Sequence, residues 1–255
     1  MTDLELFEEM VRLTRRGEAF ALATVIAHNG SSPRKSGAKM LVRGDGTVLG
    51  SVGGGRVELE SVQAALAALG DGEHRTHNFA LTEEQGFACG GGMTVYIEPQ
   101  GRRPHLVMFG AGHVGRAVAA LAHTCGFRVV VVDERPDCST HALLPGADDI
   151  VCAPVGEAFR RLALDRESFV VIATPGHLRD FDAVRGCLAT EAGFVGLLGS
   201  RRKRETLLAL LEKEGFDEEQ RNRVVTPVGL DIGAQTPEEI AVSIVGQLIR
   251  LRKKP

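Results

Sequence analysis

The 255-residue chain has no tryptophan and one tyrosine. A protein that holds single-stranded nucleic acid by stacking needs such rings, so that class is disfavoured. It also lacks a basic excess: 30 Lys and Arg stand against 33 Asp and Glu, a net charge of −3, which argues against a nucleic-acid partner. No run of about 18 apolar residues occurs, so no membrane span is expected. The opening residues carry no basic segment followed by an apolar core, so no secretory leader is expected. The five cysteines, Cys89, Cys125, Cys138, Cys152 and Cys187, are odd in number, widely spaced and never in a C-x-x-C pair. That pattern fits reduced thiols in a cytoplasmic protein better than a disulfide framework or a structural zinc site.

What is abundant is glycine, 31 residues in all, and it clusters. A composition of 44% hydrophobic and 25% charged residues is that of a folded globular chain. Its length fits one large domain or two modest ones.

Residues 3–16 place Leu4, Phe7, Met10 and Val11 at helical spacing and end in Arg15, Arg16 and Gly17, which predicts an amphipathic helix. The run 20–27 predicts a buried strand, and 40–43 and 47–50 predict a hairpin around Gly44-Asp45-Gly46. A helix is expected at 57–69 and a strand at 94–97. Residues 1–100 therefore read as a small N-terminal α/β domain. The polar stretch 100–104 breaks both periodicities, and a second domain is expected over 104–255. There, strands at 105–109, 128–132, 149–152, 168–173 and 194–198 alternate with helices at 113–124, 156–163, 179–190 and 202–214. Apolar strands separated by helices predict a doubly wound, Rossmann-like parallel sheet. A capped helix with Pro237 at its first position closes the chain near Arg252.

Several glycine-rich loops carry the chemistry. Gly110-Ala111-Gly112-His113-Val114-Gly115 follows a strand and opens a helix, the arrangement that brings backbone N–H groups to a phosphate. Asp133 ends the next strand, where a carboxylate bonds a ribose hydroxyl, and Arg135 nearby raises the question of a 2′-phosphate. His113 reads either as a helix-start residue facing solvent or as a donor to ligand phosphate or a metal-centre oxygen. After the later strands come Thr174-Pro175-Gly176-His177, with Asp180 placed to orient His177, and Gly199-Ser200-Arg201, a further candidate anion contact. In the first domain, Gly30-Ser31-Ser32-Pro33-Arg34-Lys35 concentrates hydroxyls and cations suited to an anion. Gly53-Gly54-Gly55 exposes successive N–H groups as a potential anion nest. Cys89-Gly90-Gly91-Gly92 sets an uncovered thiol beside free donors that favour thiolate, a nucleophile or soft-metal ligand.

These motifs, together with Gly53-Gly-Gly-Arg-Val-Glu58, Thr174-Pro-Gly-His-x-x-Asp180, Gly199-Ser-Arg-Arg-Lys203 and Pro227-Val-Gly-Leu-Asp-Ile-Gly-Ala-Gln-Thr-Pro-Glu-Glu-Ile-Ala241, occur in an order that resembles the XdhC/CoxI family. The likeness covers nearly the whole chain. Members are maturation factors of xanthine and carbon monoxide dehydrogenases. The resemblance implies an accessory protein rather than a turnover enzyme. It would bind molybdenum cofactor of the molybdopterin type, assist its sulfuration, and insert it into an apo-molybdenum hydroxylase, with a cysteine desulfurase as a further partner. It implies cofactor binding by Ser31, Ser32, Arg34, Gly53, Gly54, Gly55, Cys89, Gly90, Gly91, Gly110, Gly112, His113, Gly115, Asp133, His177, Ser200 and Arg201, with Cys89 meeting the metal. Many members also carry Cys in the Gly-Gly-x-Val-Glu motif; Arg56 stands there in this chain, which leaves Cys89 standing alone. An NAD(P)-dependent oxidoreductase and a nucleotide-sensing Rossmann module are the competing readings of the glycine loop. A homodimer is expected because two-fold oligomers are common.

Overall fold

The computed structural model describes residues 2–30, 32–81 and 91–252. The chain divides into two compact units, Met1–Arg103 and Pro104–Pro255.

In the first unit, α1 (Asp3–Arg16) starts from a capping box. The Thr2 hydroxyl accepts from the Glu5 N–H, and the Glu5 carboxylate accepts from the Thr2 N–H. Gly17, in the left-handed region, ends it. The antiparallel sheet has the order β3-β2-β1-β5-β4, from β1 (Phe20–Asn29), β2 (Lys39–Arg43), β3 (Val48–Gly50), β4 (Arg75–Leu81) and β5 (Gly91–Gln100). Alternation along the strands separates two cores. Phe20 and Leu41 meet Leu6 and Leu13 of α1 on one face. Ala21, Ala23, Val25, Met40 and Val42 on the other meet Val57, Ala65 and Ala68 of α2 (Gly55–Asp71).

The second unit is a parallel sheet in the order β11-β10-β9-β6-β7-β8, from β6 (His105–Phe109), β7 (Arg128–Val132), β8 (Asp149–Val151), β9 (Ser168–Ile172), β10 (Phe194–Leu197) and β11 (Val224–Val225). Taken in chain order, this is the doubly wound arrangement whose strand order reverses between β6 and β9. Both faces are buried. Leu106, Met108, Val129 and Val131 pack under α3 (His113–Thr124) and α8 (Pro237–Arg252). Val107, Phe109, Val130 and Val132 pack under α4 (Val155–Ala158), α5 (His177–Leu188) and α6 (Arg201–Lys213).

The helix predicted at 156–163 is the main departure. Only Val155–Ala158 is α-helical; Arg160 and Arg161 then donate to carbonyls three residues back, Glu157 and Ala158. The tighter turn delivers the Phe159 ring to Phe109, with ring centroids 5.3 Å apart. A Cβ on Gly186 would lie 2.1 Å from that ring, so the helix facing it needs glycine there. Strand β4, the short helix α7 (Glu218–Asn222) and β11 have no strong periodicity of their own; β4 and β11 are recruited by pairing to β5 and β10.

Candidate functional site

Gly110, Ala111 and Gly112 carry the chain from β6 to α3 at the point of strand-order reversal. The three glycines of this loop do different work. A Cβ at Gly110 would sit 2.2 Å from the Ala173 carbonyl oxygen, and its φ is +106°. A Cβ at Gly115 would sit 1.9 Å from the Gly110 carbonyl oxygen. Both are therefore demanded by the fold. Gly112, with φ −71°, is extended, and a Cβ there would meet nothing within 4 Å. Neither packing nor dihedral requires glycine at 112. The open space lies at the start of α3, where N–H groups are unpaired by the helix. His113 is exposed at the first turn.

Asp133 does not present a free carboxylate. Its Oδ2 accepts from the Ala111 N–H at 2.7 Å and from Arg135 Nη2 at 2.7 Å. Its Oδ1 accepts from Arg135 Nε at 2.9 Å and from the Arg135 N–H at 3.0 Å. All four acceptor positions of the carboxylate are taken. Burial pushes its pKa up, but the bonds from Arg135 and Ala111 outweigh burial and hold it below the ordinary carboxylate range. The Asp133 carboxylate and the Arg135 guanidinium are thus paired with each other. Asp133 serves as a brace of the glycine loop.

Beside it lies a narrow cleft lined by Gly110, Val132, Glu134, Ala153, Val155, Thr174, Pro175 and Arg179 among others. An ion pair between Arg179 and Glu134 spans it, joining the end of β7 to α5. Next along the sheet edge stands Asp180, expected from the sequence to orient His177, whose side chain lies outside the described residues. Asp180 Oδ1 accepts from the Thr174 N–H at 2.9 Å and the Thr174 hydroxyl at 2.8 Å. Its Oδ2 pairs with Lys203 Nζ at 2.5 Å, and Lys203 also donates to the Leu198 carbonyl at 2.8 Å. The pair is buried, with 2% of the Asp180 and 12% of the Lys203 side chain exposed. Gly199 leaves room for the lysine stem, since a Cβ there would lie 2.5 Å from Lys203 Cδ. Ser200 caps α6, accepting from the Lys203 N–H, and Arg201 is exposed at its first position.

In the first unit, the turn Gly53-Gly54-Gly55 has φ values of 151°, 74° and 55°, all in the region that favours glycine. The nest it forms is already engaged. Glu58 Oε2 accepts from the Gly54 N–H at 3.2 Å and from the Ser51 hydroxyl at 2.6 Å, and the Gly53 N–H donates to the Ser51 hydroxyl oxygen at 3.2 Å. A carboxylate of the protein itself thus occupies the anion position at the start of α2. Arg56 points away into an ion pair with Glu60. Ser32 donates to the Arg34 carbonyl, and Arg34 is exposed. Ser31, Cys89 and Gly90 lie outside the described residues; Gly91 is the first residue of β5.

The four described cysteines differ sharply. Cys187 is fully buried, and burial pushes its thiol up to about 12, whereas Cys152 is exposed. Because the thiolate is the reactive form, Cys187 is expected to resist alkylation in the native protein while Cys152 reacts. Iodoacetamide labelling read by peptide mass spectrometry checks this; native labelling of Cys187 at the Cys152 rate would contradict it.

Known proteins share both the motifs and the fold. A family model of the XdhC Rossmann domain matches residues 106–248, and one of the XdhC and CoxI family matches residues 13–80. The chain belongs to the XdhC and CoxI family. It is 36% identical to the uncharacterized Escherichia coli protein YqeB, over 98% of this chain and 46% of that protein. It is 34% identical to a Bacillus subtilis protein described as a probable xanthine dehydrogenase subunit, over 62% of this chain and 45% of that one. The chain thus spans about half the length of these two relatives. The E. coli molybdenum cofactor insertion chaperone PaoD is 22% identical, over 92% of this chain and 84% of its own length. A solved Bacillus halodurans structure, described as a xanthine dehydrogenase, superposes with a TM-score of 0.54 at 26% identity, covering 98% of this chain and 96% of that one.

Within this XdhC and CoxI family chain, several residues that organise the loops escape a reading of the sequence. Glu58 fills the Gly53–Gly55 nest, Thr174 and Lys203 engage Asp180, and Glu134 with Arg179 lines the cleft. A charged residue four positions from a glycine nest on the following helix, as Glu58 is from Gly54, is a readable signal. The meeting of positions 174, 180 and 203 is not, because it depends on three chain segments converging at one sheet edge.

Proposed function

We propose that this chain is a maturation factor that binds molybdenum cofactor and delivers it to an apo-molybdenum hydroxylase of the xanthine dehydrogenase type. The observation that carries this reading is family membership together with likeness to PaoD, a molybdenum cofactor insertion chaperone, along most of both chains. The chemistry of the donor set supports it. The cofactor has an anionic phosphate end and a soft, sulfur-ligated metal end. The Gly53–Gly55 turn is built around a negative charge, at present that of Glu58, and an incoming phosphate would take its place. Ser31, Ser32 and Arg34 would add donors, and the Cys89-Gly90-Gly91 segment would offer a thiolate to the metal. In the second unit, Gly110, Gly112, His113, Gly115, His177, Ser200 and Arg201 are the proposed contacts to phosphate groups, with Asp133 holding the loop. When bound, the cofactor supplies the metal centre that the client enzyme uses. This chain's residues would bind and orient it.

Sulfuration, a cysteine desulfurase partner, a cytoplasmic location and a homodimer belong to the same proposal. Among the described residues no helix is long and apolar enough to cross a membrane.

Co-expression with an apo-molybdenum hydroxylase tests the reading. The purified chain should carry molybdenum, and the client should gain cyanide-releasable sulfur. In Cys89→Ala both should fall to a small fraction of the wild-type values. Undiminished client sulfuration in the variant would remove Cys89 from the mechanism, and a wild-type chain that never carries molybdenum would end the cofactor-binding role. The oxidoreductase reading is favoured only by the Rossmann crevice. Asp133 and Asp180, the buried acids there, are both spent in ion pairs. Steady turnover of NADH or NADPH by the purified chain would nevertheless establish it.

A further inference from the structure

Helix α1 carries two apolar seams, and the core of the first unit takes up only one. Leu6 and Leu13 are buried with Phe20 and Leu41, and Met10 packs beside them. Leu4, Phe7 and Val11, at i, i+3 and i+7, share another face of the helix and belong to no core cluster. Their exposures are 64%, 47% and 49%. A helix with water on its outer side needs only the inner seam. Single exposed apolar residues are ordinary on a surface, but a contiguous stripe with a polar rim marks an interaction site.

Glu8 and Arg15 rim the stripe on the same side, and both are exposed. Neighbouring charges are engaged within the chain. Glu9 pairs with Arg12 and Arg43, Arg16 pairs with Glu18, and the Glu5 carboxylate caps the helix start. Glu8 and Arg15 have no ion pair among the described residues. The helix is also bipolar, with Asp3, Glu5, Glu8 and Glu9 in its first half and Arg12, Arg15 and Arg16 in its second.

We propose that α1 is the contact between two copies of this chain, packed antiparallel about a two-fold axis with the Leu4, Phe7 and Val11 stripes face to face. A two-fold contact uses one patch twice, so the patch must complement itself. This one does so in shape and in charge. Phe7 of one copy meets the partner's Val11, and the reverse holds at the other end. Like flanks face each other across an antiparallel pair, so Glu8 lies toward the partner's Arg15, again twice. Acidic turns meet basic turns, and the two helix dipoles oppose. A parallel pairing would set acidic turns together and basic turns together. The charge pattern therefore selects a second copy as the partner and fixes its direction.

This inference rests on the homodimer in the proposed function and gives it a surface. Its failure would leave cofactor binding and delivery standing, because no residue of the stripe is among the proposed cofactor contacts.

Sedimentation velocity of the full chain over a dilution series is the test. One helix face from each copy is a small interface, so the wild-type dimer should form at high concentration and dissociate in the micromolar range. Phe7→Ser removes the ring twice per dimer and should associate roughly hundredfold more weakly. Its circular dichroism melt should match that of the wild type, because Phe7 lies outside the core. Glu8→Arg and Arg15→Glu should each associate roughly three- to tenfold more weakly, because each sets like charges together twice. An equimolar mixture of these two variants should regain wild-type association. In the mixed dimer the introduced arginine of one chain faces the introduced glutamate of the other, and the native pair survives at the second contact. A wild-type chain that stays monomeric throughout, or Phe7→Ser that dimerises like the wild type, would overturn the interface. A mixture that associates no more tightly than its separate components would overturn the antiparallel packing.

Discussion

Gly115→Ala is expected to destabilise the second unit severely. The new Cβ would lie 1.9 Å from the Gly110 carbonyl oxygen, 3.0 Å from its carbonyl carbon and 3.3 Å from Met108 Cε. Two of the three obstacles are backbone, so they cannot swing aside. Either α3 moves away from β6 or the loop opens, and both disturb Ala111, whose N–H holds Asp133. Overpacking ordinarily costs about 1–3 kcal/mol, and a backbone clash this close belongs at or above the top of that range. In a unit of this size that corresponds to a fall in Tm of roughly 6–12 °C. Gly112→Ala is the control, because its Cβ meets nothing and its φ suits any residue. Circular dichroism melts compare the two, since the chain has no tryptophan to report unfolding. Equal melting of the two variants would show that the loop yields easily and that Gly115 is not a packing requirement.

Asp180→Ala is expected to be comparably damaging for a different reason. It leaves the Lys203 ammonium with the Leu198 carbonyl and no counter-charge among its described partners, it strips the Thr174 N–H of its acceptor, and it leaves the Thr174 hydroxyl with the longer bond to the Gly176 carbonyl. Removing one partner of a buried pair costs about 3–5 kcal/mol, because the charge that remains is uncompensated. The pair as a whole is worth much less, since both charges had to leave water to form it. Replacing both, Asp180→Leu with Lys203→Met, should therefore recover a large part of the loss. It should not recover all of it, because the Thr174 N–H still lacks a partner. Urea unfolding of the two single variants and the double variant forms the required cycle. Losses that simply add in the double variant would mean that the two side chains do not act as a pair.

These two cases mark how far the residues can be read in advance. Gly115 is legible: a strand, a glycine loop and a helix in that order predict a close crossing, and the crossing is there. The same holds for α1, whose start and stop signals at Thr2 and Gly17 act locally, and for the apolar strands of the parallel sheet. The Asp180–Lys203 pair is not legible. Spacing points Asp180 at His177, three positions away, and gives no sign of the Thr174 and Lys203 partners that the structure shows. A short separation in sequence is a poor guide where a tight turn such as that at Gly176 redirects the chain.

The extent of structure shows the same division. Strand β11 is two residues long, and nothing in Val224-Val225 alone separates it from a loop; pairing with β10 makes it a strand. The run after Val155 has helical periodicity, but delivery of Phe159 to the sheet overrides it.

By itself, the sequence determined the order of the strongly periodic elements, the Rossmann class of the second unit and the places where backbone must pass close to something. Those follow from periodicity, capping residues and glycine, all of which act over a few residues. Tertiary structure alone decided which polar groups are spent and which are free. Asp133 is bound to Arg135, Glu58 fills its own nest and Asp180 is locked to Lys203, while Glu134 and Arg179 remain partly exposed at the cleft. The physical reason is that a buried charge must find a compensating partner, and that partner is chosen by distance in the folded chain.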